Sequence, residues 1–262
     1  MNLHVEVRGQ GAPLVLLHGW AMHGGIFDNL LRANNNLLRA DYSVHLVDLP
    51  GHGRSARAGV GLTLDDAVRA VADVVPPRAL WVGWSLGGLV AMHAAATMPA
   101  RVRGLGMIAA SPRFVRAADW PHGMPAATFD GFARDLAADW RGTVDRFLAL
   151  EAFGSDHMKE ELRTLREQVF AHGEPDATAL ADGLALLADA DLRAALPTLA
   201  MPSLWLAGRR DRLVHPDAMR AAATTAPDAT FVQIERGGHA PFLTHADEVA
   251  HALAAFAATC PP

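Results

Sequence analysis

At 262 residues and 27.9 kDa the chain is long enough for one sizeable α/β domain with an insertion, and short for two independent domains. With 51% apolar and 19% charged residues and a mean hydropathy of +0.13 it can build a real core, which excludes disorder, collagen-like repeats and a disulfide scaffold. A formal charge of -5 denies it the basic field of a nucleic-acid binder, and its single Cys260 permits neither an internal disulfide nor a cysteine metal cluster.

The opening text MNLHVEVRGQGAPLVLLHGW lacks a charged n-region, a long apolar h-region and a small-residue cleavage site, so no signal peptide is read there. Apolar stretches are broken by Asp, Arg or Pro well before the roughly 18 residues of a membrane span. A soluble, cytoplasmic monomer without nucleic-acid or membrane partners is expected. Leu3–Val7 alternates like a strand, and Gly9-Gln10-Gly11 reads as a turn. Leu14–Leu17, Val44–Val47 and Ala79–Val82 are short apolar runs that fit strands buried on both faces. Between them Ile26–Arg39 and Leu64–Val75 have helical spacing. Leu86–Thr97 predicts a helix ending at Met98-Pro99, and Val102–Ala109 another strand. Residues 112–187 carry no convincing strand, only Ala/Leu/Arg/Asp-rich helical text broken by Pro and Gly. Strand text resumes at Ser203–Ala207 and Thr230–Ile234, with a last helix over Asp247–Ala258. The expected architecture is an α/β core of 1–111 and 188–262, mostly parallel, interrupted by a helical lid over 112–187.

The sharpest chemical signal is Gly83-Trp84-Ser85-Leu86-Gly87, placed after a predicted buried strand and before a predicted helix. That context is what a nucleophile elbow requires: a strained turn presents Ser85, and glycines two before and two after it let strand and helix approach. A serine hydroxyl needs a base, and the base an orienting acid, in the chain order Ser, Asp/Glu, His. His239, on the loop after the last predicted strand, is the base by context; Asp211, in Gly208-Arg209-Arg210-Asp211, is the acid. His215 and His245 read as solvated loop or helix-start residues, and His4 and His45 as strand residues. Asp217 looks like a helix cap, and Asp48 belongs to a structural loop. Oxyanion donors are expected from the Leu86 N–H and, by position after the first long strand, the Trp20 N–H, with the Trp20 indole lining the acyl pocket.

From HGW through DLPGHGRS and GWSLGG to GGHAPF the chain resembles the α/β-hydrolase fold over nearly its full length. More narrowly it is similar to the pimeloyl-[acyl-carrier protein] methyl ester esterases. The narrower likeness rests on Leu14–Trp20, His45–Ser55, Trp81–Ala91, Ala110–Pro121, His239–Glu248 and above all TVDRFLALEAFG at Thr143–Gly154. The resemblance implies demethylation of a pimeloyl methyl ester carried on acyl-carrier protein in biotin synthesis, by Ser85, His239 and Asp211, with no metal and no dissociable cofactor. It implies that Phe147 and Glu151 line the substrate channel, Glu151 standing where the family pattern has a neutral amide. It places Arg146 beside a basic stripe of Lys159, Arg163 and Arg166 at i, i+4 and i+7, suited to an acidic carrier protein. Acids outnumber bases across the insertion, and an ordinary solvated helix face is the competing reading of that stripe. A general short-chain carboxylesterase, a C–C bond hydrolase of ring-cleavage products and a non-catalytic relative stay open at this point.

Overall fold

The computed structural model describes residues 2–260; Met1, Pro261 and Pro262, outer ends of the expected core parts, lie outside the described residues. The apolar runs become strands β1 (Val5–Arg8), β2 (Ala12–Leu17), β3 (Tyr42–Val47), β4 (Ala79–Trp84), β5 (Val102–Ile108), β6 (Ser203–Gly208) and β7 (Ala229–Ile234). They pair in the order β1-β3-β2-β4-β5-β6-β7, with β1 antiparallel to β3 and every other pairing parallel. β4, β5 and β6 are buried along their whole length, because helices cover both faces of a parallel sheet; edge strands β1 and β7 keep solvent-facing residues.

Helices α1 (Asp28–Asp41), α2 (Leu64–Val74) and α3 (Leu86–Thr97) join the first strands. α2 starts where the Thr63 hydroxyl accepts the Asp66 N–H, with Asp65 and Asp66 in its first turn, so cap and macrodipole agree. α3 is apolar almost all round because it packs in the middle of the molecule, and it ends before Pro99. Helices α4 (Ala126–Ala138), α5 (Trp140–Ala152), α6 (Met158–Val169) and α7 (Ala177–Asp189) all fall between β5 and β6. Asp139 caps α5 by accepting the Gly142 N–H, and Asp176 caps α7 by accepting the Ala179 N–H. α8 (Pro216–Thr225), α9 (Pro241–Thr244) and α10 (Ala246–Thr259) complete the chain. No helix among the described residues is long and apolar enough to cross a membrane.

Several local expectations shift. The helix expected from Ile26 begins as a 3-10 turn over Gly24–Phe27, where the Asp48 carboxylate holds the Gly24 N–H at 2.7 Å, and becomes α-helical at Asp28. His4 is not a strand residue: its N–H goes to the Ser55 hydroxyl at 2.8 Å, and pairing starts at Val5. The cap of α8 is His215, whose Nδ1 accepts the Asp217 N–H, rather than Asp217. His245, expected in solvent, is buried between α9 and α10.

Candidate active site

Chain order reverses direction across the sheet between β2 and β4, the place where the loops leaving the carboxyl ends of neighbouring strands build sites in open α/β sheets. Ser85 sits at the end of β4 with φ 53° and ψ −118°, a left-handed conformation costly for a residue with a side chain. Two glycines make that turn possible. A methyl carbon on Gly83 would lie 2.1 Å from the Gly87 carbonyl oxygen, and one on Gly87 would lie 2.3 Å from the Leu17 carbonyl oxygen. Strand, helix and the loop after β2 thus meet backbone to backbone around Ser85, and the strain is held by close packing.

The β6–α8 loop carries Asp211 and the β7–α9 loop carries His239, both buried. His239 Nδ1 lies 2.8 Å from Asp211 Oδ2, and His239 Nε2 lies 3.0 Å from Ser85 Oγ. Asp211 Oδ1 accepts the N–H groups of Leu213 and Val214 at 2.8 and 2.9 Å, so its carboxylate is acceptor at every contact. It follows that His239 Nδ1 carries a proton and donates, leaving Nε2 free to accept from Ser85. The Trp84 indole N–H donates to the His239 carbonyl at 2.8 Å and fixes the backbone of that loop. Leu86 is the first residue of α3, so helix geometry gives its N–H no intrahelical acceptor, and the helix end adds positive potential beside Ser85.

The loop after β2 is held by a histidine that sequence reasoning passed over. His18 is fully buried; its Nε2 accepts the Leu49 N–H at 2.9 Å, so Nδ1 is the donor to the Gly19 carbonyl at 2.8 Å. Burial and the neighbouring His52 hold its pKa well below the usual histidine range, which keeps this tautomer neutral. Trp20 follows, fully buried, with its indole N–H donating to the Leu180 carbonyl of α7 and its ring 4.6 Å from that of Phe147 on α5. Asp48 bridges the Gly24 and Arg54 N–H groups, as befits a structural loop.

The inner face of α5 presents Phe147 and Glu151, both fully buried. Glu151 Oε1 lies 3.9 Å from His239 Nε2, and burial first, then the neighbouring Glu161 and Asp211, push its pKa well above the usual carboxylate range. Glu161 of α6, which sequence reasoning did not single out, is also buried; burial pushes it up to about 7. Ser155 and the Ala240 backbone oppose that shift only in part, neither reaching hydrogen-bond geometry. On the outer face, Lys159, Arg163 and Arg166 are exposed along α6 as the spacing predicts. Arg163 pairs with Glu167 at 3.2 Å, Arg166 with Asp145 at 2.5 Å, and Arg146 of α5 with Asp135 at 3.0 Å. Apart from these groups, His122, His215 and Asp217 bring possible metal-ligand atoms within 4.8 Å of one another at the partly exposed start of α8.

Residues 12–246 match the family model of the alpha/beta hydrolase fold. An esterase from Exiguobacterium antarcticum superposes with a TM-score of 0.83 at 21% identity, covering 98% of this chain and 96% of that one. An enol-lactonase from Burkholderia xenovorans LB400 superposes with a TM-score of 0.84 at 19% identity, covering 98% and 96%. These two likenesses speak for the fold. Far nearer in sequence is a pimeloyl-[acyl-carrier protein] methyl ester esterase of Stenotrophomonas maltophilia (strain K279a), 56% identical over 99% of this chain and 98% of that protein. Another, from Xanthomonas campestris pv. campestris (strain B100), is 57% identical over 99% and 100%. With an alpha/beta hydrolase fold and this identity over essentially the whole length, the chain belongs to the pimeloyl-[acyl-carrier protein] methyl ester esterase family.

Proposed function

We propose that the protein hydrolyses the methyl ester of a pimeloyl chain carried on acyl-carrier protein, releasing methanol and the free ω-carboxylate. The observation that carries this reading is the buried imidazole of His239, hydrogen-bonded to Asp211 on one side and to Ser85 on the other, in a chain of this family. Ser85 Oγ attacks the ester carbonyl while His239 Nε2 takes its proton. Asp211 holds the imidazole in the required tautomer and stabilises the imidazolium. The N–H groups of Leu86 and Trp20 receive the oxyanion, each such donor contributing about 3–4 kcal/mol to barrier lowering. His239 then passes its proton to the departing methoxide oxygen, and water resolves the acyl-enzyme by the reverse sequence.

Residues 112–187 act as the lid in this reading. Ser85 is closed to solvent, and α5 and α7 pack on Trp20 of the adjacent loop, so a shift of those helices away from Trp20 opens the way for an acyl chain. Phe147 and Glu151 line the channel they cover. Lys159, Arg163 and Arg146 face the acidic carrier protein, with Arg163 and Arg146 exchanging exposed intramolecular partners for the carrier's acids at small cost. The test is hydrolysis of pimeloyl-acyl-carrier-protein methyl ester beside p-nitrophenyl butyrate, with mass detection of methyl loss and a salt series. Demethylation that slows as ionic strength rises is expected. Butyrate hydrolysis with the carrier substrate untouched refutes the reading and leaves an esterase of small esters.

A further inference from the structure

All four carboxyl oxygens of Glu151 and Glu161 are buried and have no hydrogen-bond partner among the described residues. Buried polar atoms are satisfied as a rule, and an unmet one costs the full desolvation of that group. An unmet carboxyl of this kind 3.9 Å from His239 Nε2, with a second one near the same loop, marks a place where something polar binds.

The position of Glu151 says what binds there. His239 Nδ1 is engaged by Asp211, whereas Glu151 Oε1 lies 3.9 Å from Nε2, the atom that exchanges protons with the reacting groups. Two hydrogen bonds of about 2.8 Å meeting at one oxygen at roughly a right angle span that distance. Glu161 of α6 reaches the loop that carries His239, where a carbon added to Gly238 would lie 3.7 Å from Glu161 Oε1, and its charge bears on Glu151. We propose that Glu151, backed by Glu161, forms the polar wall of the subsite where the hydrolytic water enters and the alcohol leaves, holding that water against His239 Nε2 for the second half-reaction. The proposal rests on the reading of Ser85 as nucleophile and His239 as base.

In the acyl-enzyme Ser85 Oγ is esterified and no longer occupies Nε2, so water takes that place. Its oxygen adds to the acyl carbonyl carbon as one of its protons passes to Nε2. The bond from that carbon to Ser85 Oγ then breaks, Nε2 returns the proton to Oγ, and the free acid departs. By microscopic reversibility the alcohol oxygen leaves from where the water oxygen arrives, so the same buried wall bounds the alcohol. A protonated Glu151 serves this role because it offers both a donor and an acceptor; ionised at 3.9 Å it would hold a proton on His239 and remove the base. The groups facing it are Glu161 from α6, Asp211 from the β6–α8 loop and His239 from the β7–α9 loop. Burial first, and then the charges of Glu161 and Asp211, keep Glu151 in its acid form.

Stopped-flow hydrolysis of p-nitrophenyl butyrate separates the two half-reactions. Glu151→Leu is expected to give a nitrophenolate burst approaching one equivalent, an acyl-enzyme visible by intact mass, and a steady rate about tenfold or more below the unmutated enzyme. Glu151→Gln, whose amide still donates and accepts, is expected to accumulate less acyl-enzyme than Glu151→Leu. Acylation and turnover that fall in proportion, with no burst, overturn the proposal and give Glu151 a packing role. If Glu151→Leu does not fold, Glu161→Gln decides: without the neighbouring charge Glu151 ionises earlier, so the alkaline fall of the deacylation rate moves to lower pH, and an unmoved fall overturns the proposal. Failure of the underlying reading looks different, because Ser85→Ala would then still form an acyl adduct.

Discussion

Asp211→Asn is the most discriminating substitution the geometry offers. Asp211 Oδ1 accepts two backbone N–H groups, from Leu213 and Val214, and Oδ2 faces His239 Nδ1. An asparagine has one acceptor oxygen, and two fixed N–H donors claim it, so the amide NH2 must turn toward His239. Nδ1 then becomes the acceptor, the imidazole proton moves to Nε2, and Nε2 cannot take the proton of Ser85. A wrong tautomer in an intact triad lowers kcat on the order of 10⁴-fold, which is about 5 kcal/mol of barrier. Because every contact keeps a partner, stability changes by about 1 kcal/mol or less. The assay is steady-state hydrolysis of p-nitrophenyl butyrate with thermal unfolding of the same preparation. Activity within tenfold of the unmutated enzyme, at unchanged Tm, would refute the assignment of Asp211. Asp211→Ala is the less informative variant, since it strands both N–H groups and unfolds the loop as well.

Trp84→Phe removes the donor to the buried His239 carbonyl. A loss of about 1–3 kcal/mol is expected, read as a Tm drop of roughly 2–4 °C per kcal/mol in a chain of this size, with kcat falling alongside; an unmoved Tm and kcat would contradict the tether. Glu161→Gln tests the cost of the buried acid. Its folded pKa of about 7 lies above the ordinary 4.5, so the native state holds the extra proton and Glu161 erodes stability as pH rises from about 4.5 through 7. The variant should gain on the order of 3 kcal/mol over the unmutated enzyme at pH 8 and nothing at pH 4; a pH-independent difference in urea unfolding would sink this. His18 acts in the opposite sense. Its pKa is depressed in the fold, so the unfolded chain gains the proton first and stability falls as pH drops below about 6.5. His18→Phe should flatten that acid limb while lowering activity through the loop it holds, and an unchanged acid limb would argue against a neutral buried His18. Arg163→Glu should slow carrier-linked turnover roughly fivefold, the worth of an exposed pair near 1 kcal/mol, and more than it slows p-nitrophenyl butyrate. Equal loss on both substrates would point to damage in the lid.

The elements legible in the sequence were those whose cause is local. Ala79–Val82 followed by GWSLGG reads as strand, sharp turn and helix because fully buried strands are continuous apolar runs and only glycine fits where backbones touch. The chain order of Ser85, Asp211 and His239, each after its own strand, follows from the loops at one edge of a parallel sheet. Element ends moved by a residue or two where a distant group intervened, as at Gly24, held by Asp48 from another loop, and His4, held by Ser55. The spacing of Lys159, Arg163 and Arg166 predicted a shared helix face, but not that Asp145 and Glu167 would pair with two of them. What only the tertiary structure decided is the state of groups that sequence cannot locate in depth. Glu161 lies among charged neighbours along the chain, and Glu151 is placed on the channel only by the family resemblance. Folding buries both, Glu151 beside His239, and His18, one residue of an apolar strand end, becomes the pin of the Trp20 loop. A carboxyl's proton and a histidine's tautomer depend on dielectric and partners many residues away, and those exist only once the chain has packed.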